Sequence, residues 1–216
     1  FGEEYTLVSV ADYLLGRAYN EALESGKSLD EVCAPYRMAT ASNLSSSRAL
    51  RDVTEKFGGE YFAAAVGEVN VTTKMKECGA LIGGEGNGGV IYPALHYGRD
   101  AMVGVALFLT NLAHRQMKVS ELLKTYPQYV ITKNRIDLSD KALIDKILSE
   151  VQKIYANENV NTIDGVKISF EDRKQWVHLR RSNTEPIIRI YAEAATKEEA
   201  DALANEVIGI AKKIIG

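Results

Sequence analysis

The residues with most chemistry in them are His178-Leu179-Arg180-Arg181-Ser182-Asn183-Thr184-Glu185-Pro186 and the stretch that follows, Ile187-Ile188-Arg189-Ile190-Tyr191-Ala192-Glu193-Ala194. Val177 and Leu179 alternate on one side and Ile188, Ile190 and Ala192 on the other, the period of two half-buried strands. Pro186 restarts the chain in extended geometry. The connection carries two adjacent guanidiniums, two hydroxyls and an amide. Arg presents a planar fork of donors suited to phosphate or carboxylate, and Ser, Thr and loop N–H groups add neutral donors around the same anion. With Arg189 close behind, Arg180, Ser182, Asn183 and Thr184 read as an anion cradle. The plain alternative is a polar, solvated hairpin turn.

A second stretch, Gly83-Gly84-Glu85-Gly86-Asn87-Gly88-Gly89, contains Gly-x-Gly-x-x-Gly from Gly84 onward. A dinucleotide site requires that motif to open a helix, with an acidic residue about twenty positions further on. Here Val90-Ile91-Tyr92-Pro93 reads as a strand ended by proline, and the expected acidic position falls in an apolar segment near Val105. No Gly-Lys-Ser/Thr follows, so a Walker-type loop is excluded too. The remaining reading is a tight hairpin tip that brings Glu85 and Asn87 to the surface, where a carboxylate and an amide can share adjacent hydroxyls of a pyranose. Glycines that serve only the turn are an equal alternative.

Lesser candidates surround these two. Arg99-Asp100 is expected to form an ion pair at the start of a helix, where Asp also suits the positive end of the macrodipole; a direct ligand role for Arg99 comes second. Glu68 by itself reads as a helix-start acid. Arg48 lies on a helix surface or reaches an anion, His114 is a structural helix-end residue, and Asp164-Gly165 is a turn.

The elements that must position these residues follow from periodicity. Leu7, Val10, Ala11, Leu14, Leu15, Ala18 and Leu23 make one face of a helix from Tyr5 to about Gly26. A strand at Tyr36 to Thr40, a helix at Asn43 to Phe57 with caps in Asn43 and Ser45 to Ser47 and a stop at Gly58-Gly59, a strand at Tyr61 to Val66, a short helix ending at Gly79 and a strand at Ala80 to Gly83 come next. A strand at Val90 to Tyr92 and a strongly apolar helix at Asp100 to His114, either core or covered by a further part of the protein, precede a short helix at Ser120 to Tyr126. The pattern then changes. A strand begins at Val130-Ile131, a helix spans Asp140 to Ala156, two or three strands lie between Thr162 and Ala194, and Thr196-x-x-Glu199 is a capping box opening a last helix to Ile215. The fold class expected is α/β: a layered α/β domain with a mixed sheet over 1–126, then a smaller α+β domain with a mostly antiparallel sheet over 127–216.

Composition narrows the function. Hydrophobic residues make up 46% and charged residues 25% of 216 residues, ordinary for a globular chain with a real core. A net charge of −3 offers no basic stripe for nucleic acid. No apolar run approaches the ~20 residues needed to span a bilayer. Cys33 and Cys78 are far apart without metal-ligand spacing and read as reduced core residues of a cytoplasmic protein. The chain opens on Phe1 and leads into a helix with no preceding strand, so a fragment of a longer protein is expected.

Arg-x-Ser-Asn-Thr-Glu-Pro with Ile-Arg-Ile-Tyr-Ala-Glu-Ala after it resembles the phosphate-binding loop in the last domain of the α-D-phosphohexomutase family, the phosphoglucosamine, phosphomannose and phosphoglucose mutases. The glycine loop is similar to that family's Gly-Glu-x-Ser-Gly-His sugar loop, with Glu85 in place, Asn87 for Ser and Gly89 for His. The resemblance runs in order along the whole chain, as the third and fourth domains. It implies sugar binding by Glu85, Asn87 and Gly88, phosphate binding by Arg180, Ser182, Asn183, Thr184 and Arg189, and cleft positions for Arg181, Glu68 and Arg99. No catalytic residue and no metal ligand is assigned to this chain. The phosphoserine loop (Thr-Ala-Ser-His-Asn-Pro-like) and the Asp-x-Asp-x-Asp-Arg Mg²⁺ site of the family's first two domains do not occur in it. The parent protein is then expected to move phosphate between O1 and O6 of a hexose through a phosphoserine and a hexose 1,6-bisphosphate, with Mg²⁺ neutralising charge. This chain alone would be inactive, and its last domain would hinge near Tyr126-Pro127. Asn-Gly-Gly in the sugar loop favours glucosamine phosphate over mannose or glucose phosphate. Its partners would be hexose phosphate and the N-terminal domains of the same protein. A reading of a different class is a free-standing sugar-phosphate binding module.

Overall fold

A computed structural model describes residues 1–138, 142–182 and 185–215. The chain divides into two compact units, Phe1–Gln128 and Tyr129–Gly216. The expected boundary at Tyr126-Pro127 sits inside the first unit for a physical reason. Tyr126 is buried, its hydroxyl lies among Ser9, Asp12 and Asn111, and the Pro127 carbonyl accepts from the Tyr5 hydroxyl at 2.7 Å. Burial pushes the Tyr126 phenol up to about 12.

The first unit begins with α1 (Glu3–Ser25), which buries Leu7, Val10, Ala11, Leu14, Leu15 and Ala18 as the sequence predicts, but leaves Leu23 67% exposed and buries Ala22 instead; Gly26 in the left-handed region (φ 69°) closes it. A short helix, α2 (Leu29–Cys33), follows, opened by a capping box in which Ser28 and Glu31 cap each other; periodicity had given no sign of so short an element. Then come β1 (Arg37–Asn43), α3 (Ala49–Lys56), β2 (Glu60–Ala64), α4 (Glu68–Cys78), β3 (Ala80–Glu85), β4 (Gly89–Ile91), α5 (Ala101–Arg115) and α6 (Val119–Lys124).

The sheet order is β2-β1-β3-β4, parallel in its first three strands and antiparallel at β4. This is a mixed sheet with crossover helices. Val71, Met75 and Cys78 of α4 pack on Ala39, Ala41, Ala80 and Ile91, while a hydrogen bond of 2.7 Å between Thr40 and Thr54 holds α3 against the other face. The helix expected from Asn43 begins only at Ala49: residues 37–43 are a strand buried from its second residue on, and Asn43 is its last member rather than a cap. Cys33 and Cys78 are free and buried, and burial raises both thiols.

The apolar α5 is not core along its length. Met102, Val105 and Leu109 are 78%, 53% and 56% exposed, and only Gly104 and Asn111 are buried.

The second unit contains β5 (Val130–Asp137), α7 (Ala142–Ile154), β6 (Asn159–Asn161), β7 (Val166–Phe170), β8 (Gln175–Arg181), β9 (Ile187–Ala194) and α8 (Lys197–Ile215). Its five strands are antiparallel throughout, in the order β5-β9-β8-β7-β6. Alternation decides which side is buried. Ile136, Ile168, Val177, Leu179, Ile188, Ile190 and Ala192 face Ile144, Ile147 and Val151 of α7 and Leu203, Val207 and Ala211 of α8. The Thr196 hydroxyl accepts from the Glu199 N–H at 3.2 Å, as the capping pattern predicts. The helix expected from Asp140 is described from Ala142; Asp140 lies outside the described residues. No helix among the described residues is long and apolar enough to cross a membrane.

Candidate functional site

The glycine hairpin joins β3 to β4. Gly88 has a φ of 85°, open to glycine at little cost, and a Cβ at Gly84 would run into the Gly89 carbonyl oxygen, so the two strands can close this tightly only without side chains there. Contrary to expectation, the tip does not carry Glu85 to the surface. Glu85 is the last residue of β3 and only 5% exposed. Its carboxylate accepts from the Asn43 amide at 2.9 Å, and Arg99 Nη1 lies 3.7 Å from its other oxygen. Burying a carboxylate is costly without such hydrogen-bonding partners. Asn87 is the exposed member, its Oδ1 accepting from the Gly89 N–H at 3.1 Å.

The serine-rich segment after β1 serves this hairpin. Asn43 Oδ1 accepts from the Ser45 N–H and the Ser46 hydroxyl, and Ser46 Oγ in turn accepts from the Gly86 N–H at 2.9 Å. Glu4, at the start of α1, accepts from the Ser47 N–H at 3.0 Å. Asn43 and Ser46 are thus positioning residues that sequence reading missed. The signal was a polar pair at the C-terminal end of a parallel strand, where α/β sheets place their sites.

The expected Arg99–Asp100 pair does not form. Backbone alternation separates them: the Arg99 N–H and Nε donate to the Glu68 carboxylate at 2.9 and 2.8 Å, whereas Asp100 caps α5 by accepting from the Val103 N–H and pairs with His96 at 3.1 Å. The Arg99 backbone N–H, foremost, holds the Glu68 carboxyl below its usual range, and the Val103 N–H does the same for Asp100. Glu68 is both the first residue of α4 and the anchor of Arg99. Arg48 is not a surface residue; it precedes α3, largely covered, with Nε 3.4 Å from Asp52. His114 sits edge-on to Tyr13.

In the second unit, Arg180 and Arg181 both belong to β8, so they point to opposite faces. Arg181 turns toward the helix side and donates to Asp145 of α7 at 2.5 Å. Arg180 is 16% exposed, its Nη1 is 3.9 Å from Asp164, and its buried Nε has no hydrogen-bond partner among the described residues. The Asp164-Gly165 turn packs beneath it. Gly165 (φ 75°) lies against the Arg180 backbone, and the Asp164 carbonyl is 2.6 Å from Nε2 of the buried His178. Burial, foremost, pulls the His178 pKa down to about 4. Ser182 is buried, with its N–H donating to the Ile187 carbonyl at 3.1 Å. Arg189 stands opposite Arg180 on β9. Asn183 and Thr184 lie outside the described residues. The structure therefore groups Arg180, Ser182 and Arg189 at one end of β8 and β9, and separates Arg181 from them.

Among the described residues no three His, Cys, Asp or Glu side chains gather as a metal site would require, so the Mg²⁺ implied by the resemblance finds no ligand set in them and no step is derived through it.

The first unit thus carries a glycine hairpin with a buried carboxylate on a mixed sheet, and the second an arginine-bearing hairpin on an antiparallel sheet. Comparison with known proteins gives the class. Residues 7–129 match the family model described as phosphoglucomutase/phosphomannomutase, alpha/beta/alpha domain III, and residues 135–210 match the C-terminal domain of the same family. The chain belongs to the phosphoglucomutase/phosphomannomutase family.

Among its relatives, a phosphoglucosamine/phosphogalactosamine mutase of Sulfurisphaera tokodaii is 36% identical over 80% of this chain and 37% of its own length. A phosphoglucomutase/phosphomannomutase of Thermococcus kodakarensis is 35% identical over 74% of this chain and 34% of its own length. The chain thus spans little more than a third of the curated relatives it matches. A solved family structure from Burkholderia thailandensis, 23% identical, shares the fold over 94% of this chain and 41% of its own, with a TM-score of 0.69.

Proposed function

We propose that this chain supplies the sugar- and phosphate-recognition parts of a phosphohexomutase, a protein that interconverts hexose 1-phosphate and hexose 6-phosphate through a phosphoserine and a hexose 1,6-bisphosphate. In this reading Asn87, with the Gly88 backbone, grips the ring hydroxyls from the exposed tip, and Glu85, kept in place by Asn43, reaches them by exchanging its looser Arg99 contact at 3.7 Å. Arg180, Ser182, Asn183, Thr184 and Arg189 hold the phosphate that is not reacting. Mg²⁺ would supply charge neutralisation at the phosphoserine, with ligands from other parts of the protein. The rest of such a reaction is positioning and electrostatics.

The observation that carries the reading is the Arg180 guanidinium. It is mostly covered, one of its donors has no partner among the described residues, and its nearest carboxylate is 3.9 Å away. A covered donor that lacks an acceptor costs free energy, and a ligand phosphate offsets that cost. Glucosamine phosphate is the favoured substrate. The Asn-Gly-Gly sugar loop supports it, as does the relative named for glucosamine and galactosamine phosphates, while the relative named for glucose and mannose phosphates keeps those within the class.

The test is a calorimetric titration of the chain with glucosamine 6-phosphate, mannose 6-phosphate, glucose 6-phosphate and unphosphorylated glucosamine. Phosphate-dependent binding that Arg180→Ala weakens by about 1.5–3 kcal/mol is expected, tightest for the glucosamine ester. Binding that ignores the phosphate, or survives Arg180→Ala unchanged, would overturn the assignment of the loop.

A further inference from the structure

The strand register aligns three arginines. Arg135 on β5 pairs directly with Arg189 on β9, and Arg189 with Arg180 on β8. Directly paired residues of antiparallel strands share a face with Cβ atoms about 5 Å apart, and like charges so placed destabilise the sheet. The row lies on the face away from α7 and α8, because its neighbours Ile136, Ile188 and Leu179 fill the core on the other side. Carboxylates do not close it tightly: Asp137 is 3.6 Å from Arg135 and Glu185 is 3.9 Å from Arg189.

Two residues further along the same strands, Lys133 faces Tyr191, with its ammonium 5.9 Å from the ring centre. Lys133, Arg135, Arg189, Tyr191 and Glu185 line one concavity of about 470 Å³. Neither Lys133 nor Arg135 belongs to the loop between β8 and β9.

We propose that Lys133, Arg135 and Arg189 form an outer anion subsite on this face, built for the phosphoryl group of a phosphorylated sugar that docks there before Arg180 and Ser182 engage it. The proposal rests on the phosphate-loop reading for the class of its ligand. Two guanidinium forks and an ammonium surround a tetrahedral dianion with donors, and the Tyr191 hydroxyl adds a neutral one. Glu185 at the rim accepts from a ring hydroxyl. Arg189, bordered by Arg135 on one side and Arg180 on the other, is shared by the outer and inner positions, so the anion passes along the row without losing guanidinium contact. The bound dianion also relieves the repulsion that the register imposes.

The test is an NMR titration of the whole chain with inorganic phosphate, against potassium chloride at matched ionic strength, following the guanidinium Nε–H signals and the Ser182 backbone amide. Arg135 and Arg189 are expected to shift saturably with phosphate and not with chloride. In Arg180→Ala they continue to shift while Ser182 stops responding. In Arg135→Gln the Arg189 response weakens about twofold to fivefold, as loss of an exposed charged contact would give, and Ser182 still responds. Static Arg135 signals, or shifts that chloride reproduces, overturn the outer subsite; a Ser182 response in that same experiment leaves the loop reading standing. A silent Ser182 beside a responding Arg135 does the reverse.

Discussion

Asn43, the last residue of β1, donates its side-chain amide to the Glu85 carboxylate at the end of β3 across 2.9 Å. One amide thereby ties the serine-rich segment, through its Oδ1, to the carboxylate of the glycine hairpin, through its Nδ2. Asn43→Ala leaves the 5%-exposed Glu85 short of a donor. The expected cost is about 1–3 kcal/mol, read as a lower urea midpoint for the first unit, with weaker hexose-phosphate binding. An unchanged midpoint would show that Arg99 alone suffices.

Adjacent arginines in β8 should behave differently. Arg180→Ala should weaken phosphate binding by about 1.5–3 kcal/mol, the value of a hydrogen bond to a charged group. Arg181→Ala removes only an exposed pair with Asp145. It should change phosphate affinity by less than about twofold and stability by under about 1 kcal/mol. Equal losses in the two variants would mean that strand alternation does not separate their roles.

His178 makes the second unit sensitive to acid. Its pKa is about 4 in the folded protein, below the ordinary value of 6.5, because burial disfavours the charged ring. The unfolded chain therefore binds more protons between these values, and stability falls as pH drops from 6.5 toward 4. The difference corresponds to roughly 3 kcal/mol when complete. Denaturant midpoints across that window, compared with His178→Gln, check it: the variant should lack this share of the slope.

Asp12 on α1 is 1% exposed and is held by Arg115, with Lys56 at 3.6 Å and the Tyr126 hydroxyl at 3.4 Å. Asp12→Ala strands that cluster and should cost about 3 kcal/mol, as removing one partner of a buried pair does. Because Tyr126 leads into Pro127, the variant should also speed amide exchange at Tyr126 and Gln128, which flank that proline. A thermal melt with exchange rates at those residues reads both effects.

The legible part of the site was the part carried by residue type. A Pro-terminated run of arginines and hydroxyls and a glycine run with one acid and one amide were visible in order, as were the apolar stripe of α1 and the alternation of β8 and β9. Positions whose role depends on a distant partner were not. Arg99 was matched to its sequence neighbour Asp100, yet it reaches Glu68, thirty-one positions away. Asn43 was read as a helix cap because asparagine suits one, yet burial drew it into β1. Arg135 drew no notice in its strand.

By itself the sequence determined the two-part α/β then α+β organisation, since hydrophobic period and glycine placement are local properties set by side-chain direction. It also determined which donor groups an anion and a sugar could meet. The tertiary structure alone decided which of them share a face. Strand pairing placed Arg135, Arg189 and Arg180 in one row while backbone alternation turned Arg181 away, and burial converted Glu85 from a surface carboxylate into one fixed by Asn43. Register and burial are set by contacts between residues far apart in the chain, and no local pattern encodes them.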